Sequence, residues 1–264
     1  MWLHRGAFRF LGIALLVCAV AGAEGSSDSD ALARALAAGA EAERAHDPRR
    51  AFEHYRRALD IRPDDPTLLQ KLAQQISDAM FLAPELPGTN ERLTEALQYA
   101  RRSVELDPNS AVNQLSLAIL YGRLAAHAGV SERIEYAGLV RRHAEEALML
   151  DSGYAWAHHV LGRWHLEMAA IGKGRRALAT VFFGRVPAGT HEEALGHLQR
   201  AVELEPEGVA HRAELGSAYE RLKRFADARR EWTRALELPA RAIHDPPAQQ
   251  RARQGIERLD READ

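Results

Sequence analysis

The residues with the greatest chemical potential crowd into one stretch, from Tyr154 to Arg200. His158, His159 and His165 stand close together, and His191 and His197 follow. Histidines so grouped could hold a metal or move protons, but their spacing does not suit either task. No H-E-x-x-H occurs, and His158 and His165 are seven apart, beyond the i, i+4 bite of a helical metal site. His165-x-Glu167 lacks the cysteines that a deaminase-type zinc site adds. Gly172-Lys173-Gly174-Arg175-Arg176-Ala177 spells a dinucleotide fingerprint, yet the text before it is helical, and that fingerprint needs a preceding strand. There is no G-x-S-x-G and no P-loop. The sequence therefore predicts no enzyme, no cofactor and no metal.

Two other groupings point to binding. In the segment 171–190, Lys173, Arg175, Arg176 and Arg185 flank Val181, Phe182 and Phe183. Cations beside aromatics suit a phospholipid headgroup region or an acidic partner. A second reading stays open. Leu178, Val181 and Phe182 share one helical face, as residues that pack onto a scaffold do. Just upstream, Trp156 and Arg163 at i, i+7 would present an aromatic plate beside a cation, residue types that dominate binding hot spots.

The elements that must position these groups are helices in pairs. Arg62-Pro63 follows ALDI, Asp107-Pro108 follows SVEL and Glu205-Pro206 follows AVEL; Asp151-Ser152 and Pro239 end similar runs. Proline past a helix end is a steric stop. Between stops, Leu215-Gly216-x-x-Tyr219 leads to Ala228, Trp232 and Ala235, the tetratricopeptide pattern. Gly39, Ala51, Tyr55 and Ala58 repeat it, with Asp47 and Pro48 opening a helix. Leu72-Ala73, Leu117-Ala118 and Leu161-Gly162 mark the other units. The fold class predicted is an all-α, tetratricopeptide-like right-handed helical solenoid. It has about five helix pairs over residues 31–264 and a polar C-terminal helix. Three stop-to-stop spacings exceed the repeat of about 34 residues. The excess is assigned to loops near 81–90, 126–133 and 171–190.

In such repeats the first helix of each pair lines the concave face. The register predicts a lining of Gln70, Gln74 and Asp78, then Leu115, Ile119 and Arg123. Trp156, His159, Arg163 and Glu167 come next, followed by Ser217 and Glu220. Trp156 could instead pack between neighbouring helices. Leu36 and Ala40 stand where a clamp for C-terminal peptide carboxylates would carry Lys and Asn, so that clamp is not expected.

Formal net charge is −2, with the signs interspersed, which excludes a blanket nucleic-acid role. His4, Arg5 and Arg9 precede an apolar run of 11 residues, Phe10 to Val20, and Ala21-Gly22-Ala23 offers a cleavage site. The run is shorter than the ~20 residues of a spanning helix. Residues 1–23 read as a signal peptide, with an uncleaved N-terminal anchor as the alternative, and residues 24–30 read as a disordered leader. The protein is thus expected to be periplasmic or secreted. Its one cysteine, Cys18, would leave with the signal.

From Leu161 to Gln249 the chain resembles the regulator of microtubule dynamics family. The likeness rests on Leu161-Gly162-x-Trp164, the basic stretch leading into Ala177–Gly184 (ALATVFFG), Pro187, Thr190 and Glu193-Ala194-Leu195. Ala201, Pro206, the Leu-Gly-x-x-Tyr helix, Leu238-Pro239 and Asp245 complete it. The resemblance implies a helical-repeat domain without enzymatic activity. The family's animal members are membrane-associated and linked to microtubules and organelle contacts, and some to phospholipid binding or transfer. Val186-Pro187 stands here where the family usually has two prolines. The secretory-type N-terminus argues for a bacterial envelope relative, for which a microtubule role has no object. The function expected is a non-enzymatic scaffold that grips a protein or peptide segment in its groove. The alternative is a phospholipid-binding or lipid-transfer protein using the groove and the insert 171–190, acting on phospholipid or a membrane surface.

Overall fold

The proline stops and cap residues cut the chain where the helices end. In the computed structural model, residues 14–83, 87–184 and 186–263 are described, and among them are twelve α-helices. The chain divides into two units, one up to Pro63 and one from Asp64 onward.

The first unit is the helix pair α1 (Ala14–Arg44) and α2 (Pro48–Ile61). Asp47 caps α2 by accepting from the Arg50 amide at 3.0 Å, and Pro48 takes the first helical position. The close approach of the pair depends on Gly39. A Cβ there would lie 2.6 Å from the Tyr55 ring. The Tyr55 hydroxyl donates to Glu43 at 2.8 Å. Residues 24–30, read from the sequence as a leader, lie within α1. Once the Ala-rich turns after Asp30 are helical, extending the helix backwards costs only a few tenths of a kcal/mol per Ser or Asp. Residues 1–13, with the charged start of the expected signal, lie outside the described residues. No described helix is long and apolar enough to cross a membrane.

The second unit stacks four pairs. They are α3 (Pro66–Leu82) with α4 (Thr89–Leu106), and α5 (Ala111–His127) with α6 (Val130–Leu150). Next come α7 (Ala155–Ala170) with α9 (His191–Leu204), and α10 (Val209–Arg221) with α11 (Phe225–Glu237). An extra helix, α8 (Lys173–Phe183), interrupts the third of these pairs, and α12 (Asp245–Ala263) packs on α10 and α11. The helices α2, α4, α9 and α11 each stop with a single residue left before a proline, as steric exclusion of helix from that residue dictates. At the stop without proline, the Asp151 carboxylate accepts from the Gly153 amide at 2.9 Å and turns the chain instead.

Small residues let the second helices seat. Ala96, Ala100, Ala144, Ala147, Ala194, Ala201, Ala228 and Ala235 are all fully buried. On α7, a Cβ on Gly162 would meet Leu198 at 2.5 Å. The tip of the α5–α6 pair differs from expectation. Only Ala128 and Gly129 separate these helices, so the excess near 126–133 lies in helix length rather than in a loop. The segment 171–190 is mostly helix too. The C-terminal helix does more than solvate the end, because Ala248, Ala252 and Leu259 bury against the core.

Candidate functional site

The first helices α3, α5, α7 and α10 pack in succession. Their shared face carries a chain of aromatic and charged contacts. Arg123 on α5 lays its guanidinium over the Phe81 ring of α3, 5.1 Å from the centroid. Its buried Nε has no hydrogen-bond partner, and burial lowers its pKa against the opposing pull of Asp78. On α7, Trp156 meets His159 at 5.0 Å and His211 of α10 at 4.7 Å, ring centre to ring centre. Arg163 donates to Glu167 at 3.3 Å and stands 3.9 Å from Glu214 of α10, the main influence raising its pKa.

The non-helical segment 239–244 crosses this face. Its His244 ring packs edge-on against Phe81 at 4.5 Å and reaches Trp156 at 5.8 Å. His244 Nε2 lies 3.4 Å from the Asp78 carboxylate. Asp245 fixes the segment by accepting from the Arg241 and Ala242 amides, each at 2.8 Å. Beside Trp156 and the segment is an open cleft of about 370 Å³. Pro206, Gly208, His211, Arg241 and Asp245 also line it.

Under Trp156 lies a buried relay. The His211 Nε2 is 3.1 Å from Glu205 and its Nδ1 is 3.0 Å from His159 Nδ1. A neutral His211 that donates to the carboxylate presents a bare Nδ1, so His159 must donate to it. The hydrogen bond from His211 lowers the Glu205 pKa. Burial first, then His211 and Arg163, hold His159 well below the usual histidine range. This relay fixes two ring orientations and gives Trp156 a rigid floor. A second group sits between α7 and α9, where His158 and His197 share a 3.0 Å contact and His165 stacks on His197. Burial, helped by His158 and His165, pushes His197 down to about 4. Among the described residues no three His, Cys, Asp or Glu side chains converge as metal ligands.

His158, His159, His165 and His197, all held below the usual histidine range chiefly by burial, set an acid limit on stability. The unfolded chain takes up their protons near pH 6.5, while the folded chain resists until lower pH. Their contribution is therefore complete above about pH 6.5 and lost as pH falls toward about 4. Thermal melts should show a midpoint about 5 °C lower at pH 5 than at pH 7.5. His197→Gln should remove part of that slope, whereas a midpoint flat across this range would contradict the assignment.

Of the expected lining, Trp156, Arg163, Glu167, Arg123 and Asp78 do meet this face. Trp156 also packs: it is half-buried against two core clusters. Leu115 does not line the face. It is buried with Ala118, Ala144 and Leu161, and Ile119 sits at the edge of that cluster. Steps of four residues advance about 40° around a helix, so Leu115 stands about 80° from Arg123 and turns toward the core. His159 is buried below the surface rather than on it. Glu220 is taken by Arg258 of α12 at 3.0 Å. Of the insert, Arg175 is exposed, and Arg176 turns back to donate to the Ile171 carbonyl at 3.1 Å. Arg185 lies outside the described residues, and Lys173 is placed only as the first residue of α8. Phe81, His211, Glu214 and His244 were not foreseen. For His211 a signal existed: it stands where the repeat register puts Leu68 and Ala157, both buried, so a polar side chain there needs a partner.

A family model described as "Regulator of microtubule dynamics protein 1-3" matches residues 32–260. The chain is 30% identical over 197 residues to regulator of microtubule dynamics protein 1 from Bos taurus, covering 72% of this chain and 61% of that protein. It is 29% identical over 177 residues to regulator of microtubule dynamics protein 3 from Xenopus laevis, covering 67% and 38%. It thus spans less than two thirds of the length of these relatives. Among solved structures, a thermophilic TPR protein of Thermus thermophilus superposes with a TM-score of 0.63 at 20% identity, covering 85% of this chain and 98% of that one. The pilF protein of Pseudomonas aeruginosa gives 0.53 at 14%, covering 89% and 93%. Both likenesses concern the helical-repeat fold.

Proposed function

We propose, on the premise that the chain belongs to the regulator of microtubule dynamics family, that the face built by α3, α5, α7 and α10 is a non-enzymatic binding surface for an extended acidic peptide segment of a protein partner. One observation carries this reading. The face already holds a non-helical piece of polypeptide, residues 239–244, with the His244 ring set between Phe81 and Trp156. A partner segment meeting the same surface would find an aromatic seat at Trp156. It would also find cations at Arg123 and Arg163. A side-chain carboxylate pairs with a guanidinium as a charge-assisted bond.

An acyl chain is less well served here. The cleft beside Trp156 has Pro206, Val209 and Ala210 in its lining, but Glu205, Glu207, Arg241 and Asp245 line it too, and burying such charged groups against a lipid tail is costly.

The test is selection of random peptides on the immobilised full chain, followed by fluorescence anisotropy on the captured sequences. Captured peptides should be acidic, with an aromatic or large apolar residue near the acid. Replacing Asp and Glu by Asn and Gln should weaken binding by about tenfold. Capture of basic peptides, or binding indifferent to that replacement, would overturn the proposal.

A further inference from the structure

The segment 171–190 is independent of the groove. Arg176 fixes the start of α8 to the end of α7 through the Met168 and Ile171 carbonyls. Beyond α8, Val186 is buried, and Gly189 passes so close to α7 that a Cβ would lie 2.8 Å from the His165 carbonyl. The segment is therefore tied down on both sides of α8. Yet among the described residues no helix packs along α8 itself. Leu178, Val181, Phe182 and Phe183 are 61%, 78%, 71% and 46% exposed. The exposure disfavours the second reading of this segment, in which Leu178, Val181 and Phe182 pack onto the scaffold. Leu178, Val181 and Phe182 share a helical face, with Phe183 off its edge, but the tethers turn that face outward. A patch of this kind marks an interaction site.

We infer that α8 is a docking element for an anionic membrane surface. Charge supplies the first argument. From Met168 to His191 there are four cations, Lys173, Arg175, Arg176 and Arg185, and no acidic residue, in a chain of net charge −2. Basic residues beside an apolar helix face adsorb to anionic lipid. Shape supplies the second. Val181, Phe182 and Phe183 are consecutive, so they sweep about 200° of the helix. A protein groove reads a narrow stripe at i, i+3, i+4 and i+7, whereas an apolar helix end with a broad arc suits insertion among lipid headgroups. One short helix gives weak, reversible adsorption that rises with the anionic lipid fraction.

Hydrogen–deuterium exchange on the full chain tests this, because it localises contact even if the N-terminal apolar run also meets lipid. With vesicles of phosphatidylcholine holding about 30 mol% phosphatidylglycerol, amides 176–184 should exchange at least about threefold more slowly. Pure phosphatidylcholine should have no such effect. Phe182→Glu, a change at an exposed position that leaves the melting temperature unaltered, should abolish the protection. Unchanged exchange in 176–184 with anionic vesicles overturns the inference, whether or not the protein sediments with them. Light scattering that shows a wild-type dimer and a monomeric Phe182→Glu variant overturns it as well, in favour of a second copy of the chain.

Discussion

Trp232→Ala lowers the free energy of unfolding of the second unit by about 3–5 kcal/mol, the range for deleting a fully buried tryptophan. The indole is 1% exposed and its Nε1 donates to the Ala213 carbonyl at 3.0 Å. It is held between two helices that lack side chains at the contact. A Cβ on Gly216 of α10 would come within 2.3 Å of the ring, and one on Gly255 of α12 within 2.6 Å. One side chain thus joins α10, α11 and α12. Its loss removes buried area, leaves a carbonyl without its donor, and opens a cavity whose rigid walls cannot close. Domains are stable by roughly 5–15 kcal/mol in total, so urea unfolding should show a separate early loss of the C-terminal pair. A midpoint within error of the wild type would show that the pair does not depend on this contact.

The same residues explain why so much of the fold was readable. Prolines at 63, 108, 206 and 239 mark helix ends because their rings exclude helix from the residue before them, a local effect that needs no tertiary context. Gly216 and Trp232 are read together because close approach and space filling are complementary demands at a fixed spacing. The reading fails where geometry accumulates over distance. Steps of four put Leu115 on the concave lining, and the drift of the helix carries it into the core. The excess near 126–133 looks like a loop in a count of residues, but α5 and α6 simply run longer. The outward aim of α8 follows from Arg176, Val186 and Gly189, which tether the segment to either side of its helix. No periodicity in the segment reports that. His244 was invisible for a related reason: its partners Asp78 and Phe81 are more than 160 positions away in sequence.

Trp156 and Arg163 stood out in the sequence as hot-spot residue types, and they do stand together on one face. Seven residues along a helix return to within about 20° of the starting direction, so this pair escapes the drift that removed Leu115. What surrounds them adds to their expected effect. Trp156 rests on His159 and His211, whose hydrogen bonds fix the rings beneath it, and Arg163 is oriented by Glu167 and Glu214. A preorganised aromatic beside a positioned cation spends little entropy on binding, the condition under which one residue dominates affinity.

The most direct measurement is the Kd of an acidic peptide, selected on the wild-type chain, for Trp156→Ala and Arg163→Ala at a temperature where circular dichroism shows each variant folded. If the face of α3, α5, α7 and α10 is the binding surface, Trp156→Ala weakens binding by about 30-fold or more and Arg163→Ala by about tenfold. Affinities within twofold of wild type for both variants would place the binding surface elsewhere on the molecule.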